Sequence, residues 1–158
     1  VVNERLPKQG NQAGEAAFLA NCAACHQPTG VGLPGAFPPL AGSDFLKNND
    51  KTKIMSSVLQ GITGKLVVNG VEYNNVMPAM SHLSDADVAN IVTFVYASWG
   101  NPGGEISEAD VAAAMRAGLD AGIAFGAERG LLRISAGNYG GKLGPFHFHL
   151  HKLMGEQA

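Results

Sequence analysis

The segment Cys22-Ala23-Ala24-Cys25-His26 constrains this 158-residue chain more than any other. Two thiols three positions apart, followed at once by a histidine, are the attachment signature of a covalent c-type haem. The thiols can form thioether bonds to the two haem vinyl groups, and the imidazole then reaches the iron from one side. A thioredoxin-like CxxC needs a βαβ setting that is absent here, and a zinc site needs two further ligands nearby. The motif therefore predicts one covalent haem c, an apolar pocket and a second axial ligand.

The composition is compatible with one domain that has an apolar core, and it argues against a nucleic-acid partner and a membrane span. Apolar residues make up 46% of the chain, charged residues 15%, and the net charge is −2. The chain has no cluster of basic residues that would predict nucleic-acid binding. It also has no apolar run of about 18 residues that would predict a membrane span. The chain begins Val1-Val2 without Met or an apolar signal region, which is typical of a processed or excised product. Because covalent haem attachment usually occurs outside the cytoplasm, the motif predicts a periplasmic or otherwise exported protein.

Helix signals surround two long irregular stretches. Residues 13–25 are rich in helix formers, and Lys51–Gln60 lies between an N-cap at Asp50 and a glycine that ends the helix. A third helix follows the cap at Ser84, with an apolar stripe from Val88 to Trp99. The intervening stretches, 27–43 and 61–83, read as irregular and rich in glycine and proline. Loops this long are uncommon in a compact domain unless they wrap something, and a haem would supply the missing core.

The composition changes after the segment Asn101-Pro102-Gly103-Gly104. We therefore predict an N-terminal arm over 1–10, a helical haem domain over 11–101 and a C-terminal extension over 102–158.

The extension carries its own signals for a helix followed by a β-hairpin. Ser107 repeats the capping pattern and predicts a helix to about Ala117. The strict alternation of Phe and His over 146–151 predicts a strand. On that strand, one face would carry His147, His149 and His151. Three imidazoles can bind a transition metal, but an unliganded strand face is the favoured interpretation.

Two methionines and a histidine are candidates for the second axial ligand. Met77 and Met80 lie on an irregular loop, which is a poor place for a core residue and a good place for a thioether ligand. Met77 is preferred because Pro78 can rigidify the loop directly behind it. His82 is the third candidate, although a histidine beside the Ser84 cap is more simply a surface residue.

Other residues have possible supporting roles around the haem. The rigid apolar step at Phe37-Pro38-Pro39 can present a carbonyl to the second ring nitrogen of His26, since that bond sets the tautomer and basicity of a ligating histidine. The donors of Tyr73, Asn74 and Asn75 suit haem propionates, whose buried charge would otherwise be costly, or form an ordinary polar turn. Trp99 is better suited to anchor the core than to take part in redox chemistry.

At these residues the chain resembles the monohaem class I cytochromes c. The matching text is NCAACHQPTGVGLPGAFPPLAGSDFL followed by VNGVEYNNVMPAMSHLSDADVANIVTFVYASWGN. Residues 13–101 look like the cytochrome c domains of haem-containing copper nitrite reductases and the small cytochrome subunits of periplasmic dehydrogenases and oxidases. The resemblance implies a mainly α fold wrapped around the haem. It also implies the following roles: thioethers at Cys22 and Cys25, a proximal His26, a distal Met77, a Pro38 carbonyl that holds the His26 ring, and Leu40 in the pocket.

The tail resembles a different family. The text ISAGNYGGKLGPFHFHLHKL looks like the C-terminal end of the tetrahydromethanopterin-linked formyltransferases. This is a small part of such an enzyme, so no formyltransferase activity is expected from it.

Together these features predict an electron carrier rather than an enzyme. A haem with two filled axial positions has no open site for a substrate, and His/Met ligation raises the potential relative to bis-imidazole ligation. We expect a redox-partner protein to dock at the haem edge, on an apolar surface formed by Val31, Leu33, Ala36, Phe37, Val76 and Ala79. The alternatives are an electron-entry domain of a larger oxidoreductase, such as a copper nitrite reductase or a quinoprotein dehydrogenase, and a haem-based gas sensor in which Met77 dissociates.

Overall fold

The computed structural model describes residues 9–128, and the chain divides into two compact units, Val1–Met115 and Arg116–Ala158. Its secondary structure is mainly helical with one small sheet, which confirms the predicted fold class. None of the described helices is long and apolar enough to cross a membrane. In chain order the elements are α1 (Gln9–Asn21), α2 (Ala23–His26), α3 (Asp44–Asn48), α4 (Lys51–Gln60), β1 (Leu66–Val68), β2 (Val71–Tyr73), α5 (Asp85–Ala97) and α6 (Glu108–Glu128).

Helix α1 packs directly against α5 through a glycine and a group of aromatic rings. A Cβ at Gly14 would overlap the Asn90 carbonyl oxygen and lie 2.7 Å from the Phe94 Cβ, so only glycine permits this close approach. One turn further along α1, the Phe18 ring lies 5.5 Å from that of Phe94 and 5.4 Å from that of Trp99, measured between centroids. This contact joins the helix that precedes the CAACH segment to the best-buried helix of the unit.

Truncating Phe18 is expected to destabilise the protein strongly. Its side chain is 0% exposed and contacts two other aromatic rings, so Phe18→Ala should lower the free energy of unfolding by about 3–5 kcal/mol. The neighbouring Leu19 is 47% exposed, and Leu19→Ala provides the control with a cost of about 1 kcal/mol or less. Denaturant unfolding of both variants measures the difference, and equal costs would contradict the packing described here.

Helices α4 and α5 begin at the predicted caps. The Asp50 carboxylate accepts a hydrogen bond from the Lys53 backbone N–H at 2.8 Å, and the Ser84 hydroxyl accepts one from the Asp87 N–H at 3.1 Å. Helix α5 ends at Ala97, so the predicted continuation of its apolar stripe to Trp99 is wrong. Trp99 instead has a left-handed φ of 51° beyond the helix end, and its ring packs against that of Phe18.

A β-hairpin lies in the stretch 61–83 that the sequence analysis read as irregular. Val68 pairs with Val71 across a two-residue turn at Asn69-Gly70, whose φ angles are 49° and 76°. Asn-Gly supplies the two positive φ angles that a type I′ turn requires, and this turn matches the twist of the strands. The hairpin tip is tied to the first turn of α3, because the Asp44 and Asn69 side chains each accept the other residue's backbone N–H at 2.8–2.9 Å.

Helix α6 is longer than predicted. It begins at Glu108 after a cap at Ser107, as expected, but continues to Glu128 rather than ending near Ala117. The predicted strands and the three histidines of the extension lie outside the described residues, as do residues 1–8 of the predicted N-terminal arm.

Candidate functional site

An apolar cleft opens beside the CAACH segment. Its empty space is about 670 Å³ including the open mouth, which lies in the usual range for ligand and cofactor sites. Helices α1, α4 and α5 form much of its wall, through Phe18, Ile54, Ile91, Val92 and Val95. Of the residues that the sequence analysis selected, the cleft is lined by Cys22, His26, Pro38, Leu40 and Met77.

The imidazole of His26 is oriented for ligation. His26 ends helix α2, is buried, and places its Nδ1 2.9 Å from the Pro38 carbonyl oxygen. Burial lowers the pKa of His26 below its usual value, and the hydrogen bond to Pro38 only partly opposes this effect. A neutral ring that donates Nδ1–H to the carbonyl keeps the lone pair on Nε2, the atom free to bind a metal.

The two cysteines lie on one short helical turn. Backbone N–H groups of Cys25 and His26 both donate to the Cys22 carbonyl, at 3.2 and 3.0 Å. Cys22 lines the cleft, whereas Cys25 is half-buried and is not among the lining residues. Burial, with a smaller contribution from Cys25, raises the pKa of Cys22 to about 11, so at neutral pH this residue is a thiol rather than a reactive thiolate.

The loop that carries both methionines is fixed by α4 and the residues after it. Met77 exchanges two backbone hydrogen bonds with Ile62, at 2.9 and 3.0 Å, while the Met80 N–H donates to the Val58 carbonyl at 2.9 Å. Gly61 has a φ of 74°, and a Cβ there would overlap the Met77 carbonyl oxygen. Met77 lines the cleft, but neither Met80 nor His82 is among its lining residues.

Several residues that the sequence analysis placed at the pocket are not among the residues that line the cleft. The Asn75 side-chain amide donates to the Ala36 carbonyl at 3.1 Å, which joins the loop before Met77 to the loop before Pro38. Phe37 pairs with Leu33 in an isolated β-bridge, and Tyr73 is buried at the end of β2. None of these residues lines the cleft, and nor does Trp99.

Asn101 is a positioning residue that the sequence analysis missed. Its side-chain NH₂ donates to the Leu40 and Val95 carbonyls at 3.0 and 2.8 Å, and its Oδ1 accepts from the Gly42 N–H at 3.1 Å. One amide therefore holds the loop after Pro38 against the end of α5. The residue stands between Gly100 and Pro102 in a stretch that reads only as a linker, so no local sequence signal identified it.

Removing the Asn101 amide is expected to loosen this loop. Asn101→Ala leaves partly buried backbone groups without their partner and should lower the free energy of unfolding by about 1–3 kcal/mol. Asn75→Ala removes one exposed hydrogen bond and is the control, with a cost below about 1 kcal/mol. Denaturant unfolding measures both costs. A cost for Asn101→Ala no larger than that of the control would show that the three bonds do not hold the loop.

The chemistry of the cleft fits a covalently attached haem. One thiol, one oriented imidazole and one thioether line a space whose remaining walls are almost entirely aliphatic and aromatic, and the second thiol, Cys25, lies on the same helical turn as the first. The described residues thus provide an attachment point, axial donors of the types that haem proteins use, and a dry environment for the macrocycle.

Family models match two separate parts of the chain. Residues 9–95 match the model described as cytochrome c oxidase, cbb3-type, subunit III. Residues 104–153 match the model described as FTR, proximal lobe, which confirms the predicted likeness of the tail.

Curated relatives divide in the same way. Cytochrome c-552 of Thermus thermophilus is 39% identical over 93 residues, which cover 57% of this chain and 71% of that protein. The cytochrome c subunit of the quinone alcohol dehydrogenase of Gluconobacter oxydans is 39% identical over 106 residues, or 65% of this chain and 22% of the subunit. The formylmethanofuran–tetrahydromethanopterin formyltransferase of Methylococcus capsulatus is 63% identical over 49 residues, or 31% of this chain and 16% of the enzyme.

Cytochromes c carry covalently attached haem c, and this chain has its two cysteines in the attachment motif. The helical fold and the apolar cleft are consistent with the family matches over residues 9–95. The chain therefore belongs to the cytochrome c family.

Proposed function

We propose that this chain transfers single electrons through one c-type haem held between His26 and Met77. The observation that carries the proposal is the hydrogen bond between His26 Nδ1 and the Pro38 carbonyl beside a cleft that Met77 also lines. An imidazole fixed through Nδ1 presents Nε2 to the cleft, and a methionine on a pinned loop offers a soft second ligand. Both axial positions are then filled by the chain itself.

In this role the residues hold and tune the cofactor. Bound haem supplies one-electron exchange between ferric and ferrous iron. Cys22 and Cys25 fix the vinyl edge, the Pro38 carbonyl raises the basicity of His26, and the Met77 thioether favours the reduced state relative to a second imidazole. Aliphatic walls exclude water and disfavour the extra charge of the oxidised centre. The thioether and the apolar walls act toward a higher reduction potential, whereas the more basic imidazole acts toward a lower one.

The surface proposed for partner docking is exposed and apolar. Val31 is 56% exposed, Leu33 50% and Val76 63%. The Asn75 side chain bonds to the Ala36 carbonyl, so the loops that carry these residues lie side by side. A small apolar patch of this kind suits a weak, short-lived complex, and its low charge should make the association rate depend only modestly on salt.

The relatives support two versions of the proposal. A free carrier is favoured by the coverage of 71% of the Thermus cytochrome c-552. An electron-entry module of a larger oxidoreductase is the alternative, because the chain spans only 22% of a cytochrome subunit from a quinone-dependent alcohol dehydrogenase. In either version we propose that the domain works in the periplasm or another exported compartment, because covalent haem attachment usually occurs outside the cytoplasm. The tail covers 16% of a formyltransferase, so we propose no transferase activity for it.

Carbon monoxide binding distinguishes the carrier from the gas sensor. If Met77 holds the sixth position, the ferrous protein at neutral pH should show no spectral change under carbon monoxide while exchanging electrons readily with a soluble redox dye. A sensor whose methionine dissociates would instead bind carbon monoxide. Rapid, stoichiometric carbon monoxide binding by the folded protein would overturn the proposal in favour of the sensor.

A further inference from the structure

We propose that a second cavity, beside the apolar cleft, holds the haem propionates, with Lys53 pairing with one of the two carboxylates. The inference rests on the proposed haem attachment and adds to it the orientation of the cofactor. It assigns a binding role to one face of α4, a helix in which the sequence analysis identified no site residue.

The second cavity adjoins the cleft and shares a wall with it. Four residues, Phe45, Ser57, Ile62 and Leu66, line both spaces. Beyond this shared wall the second cavity is lined by polar side chains of α4 and the loop that follows it: Lys53, Ser56, Gln60 and Thr63. Neither cysteine of the attachment motif lines it, and nor do His26 and Met77.

The polar groups of this cavity are suited to an anion. Among the residues that the structure describes, its lining contains one cation, Lys53, and no carboxylate. Within the described part of the chain, no hydrogen bond or ion pair is made by the Lys53 ammonium or by the Gln60 side chain. The Lys53 backbone N–H is separately engaged by the Asp50 cap at 2.8 Å, so the helix positions the stem while the ammonium stays free.

The shape of the cofactor selects this cavity. A haem is apolar except for two carboxylates, which lie on the edge opposite the vinyl groups. Thioethers at Cys22 and Cys25 would hold the vinyl edge beside α2, so the carboxylates would lie on the side of the cofactor away from α2. Burying those charges against the aliphatic walls of the cleft would be costly, whereas the adjoining cavity offers an ammonium, an amide and hydroxyl groups.

Tyr73 and Asn75, the donors that the sequence offers for the propionates, are not among the residues that line either cavity. Asn75 uses its amide on the Ala36 carbonyl, and Tyr73 lines neither cavity. The second cavity therefore replaces them as the carboxylate site.

Proton NMR of the ferrous holoprotein tests the proposal directly. Nuclear Overhauser contacts are expected between the propionate methylene protons and the side chains of Lys53 and Gln60. Propionate contacts to Tyr73 or Asn75, or to no side chain of the second cavity, would overturn the inference. An intact mass without haem would instead refute the proposed function, so the two failures are distinguishable.

A charge substitution provides a second readout on the folded protein. Lys53→Gln keeps the backbone hydrogen bond to Asp50 and removes the ammonium beside the carboxylates, so the reduction potential should shift to a lower value. Lys47→Gln is the matched control, because this lysine lies on α3 and lines neither cavity. A shift in the Lys53→Gln protein no larger than that of the control would contradict the assignment.

Discussion

Met77→Ala is expected to abolish the weak long-wavelength absorption band that marks methionine ligation in the ferric protein, and to lower the reduction potential. The reason is that Met77 lines the cleft, with its backbone fixed by two hydrogen bonds to Ile62. The sixth position would then be empty or taken by a water molecule, and the thioether that favours the reduced state would be lost. The ferric absorption spectrum and a spectroelectrochemical titration measure both effects.

Met80→Ala is the matched control for that experiment. Met80 lies on the same loop, is also half-buried, and is anchored through its backbone to Val58, but it does not line the cleft. This variant should keep the absorption band and a potential close to that of the native protein. If Met80→Ala loses the band while Met77→Ala keeps it, the assigned ligand is wrong.

Replacing both thiols is expected to eliminate covalent haem. In the Cys22→Ala, Cys25→Ala double variant no sulfur remains to bond the cofactor, since these are the two cysteines of the chain. The apolar cleft would then lack its occupant, and unfolding should become less cooperative and occur at lower denaturant concentration. A haem stain after denaturing electrophoresis, together with denaturant unfolding, measures the two losses.

Ala24→Ser is the control for the attachment motif. Ala24 stands between the two thiols and is exposed, so a hydroxyl there leaves both cysteines and His26 unchanged. Haem that survives denaturation in this variant and disappears in the double variant assigns attachment to the thiols. Covalent haem in the double variant would contradict the assignment.

Local sequence signals predicted the starts of α4, α5 and α6 because a helix start depends on the capping side chain beside it. The Asp50 and Ser84 caps act on backbone groups three residues away, so the starts of α4 and α5 could be read directly. The hairpin at Asn69-Gly70 is also predictable from the sequence, because Asn-Gly between Leu66–Val68 and Val71–Tyr73 is a strong short-range hairpin signal. The surrounding glycines and Pro78 favour a loop and outweigh this signal.

The candidate site was only partly predictable because its supports are long-range. A rigid proline step indicated the contact between His26 and Pro38, twelve positions apart. The bonds from Asn101 to residues about sixty positions earlier leave no periodic or compositional trace. For the same reason, the backbone pairing of Met77 with Ile62 and the polar cavity beside Lys53 can be identified only from the three-dimensional structure.

The mass of the intact, denatured chain tests the central claim most directly. Because thioether bonds survive denaturation, the account predicts the mass of the polypeptide plus one haem, with neither cysteine available to a thiol reagent. The mass of the polypeptide alone, with Cys22 and Cys25 both reactive in protein matured in a haem-attaching host, would contradict it.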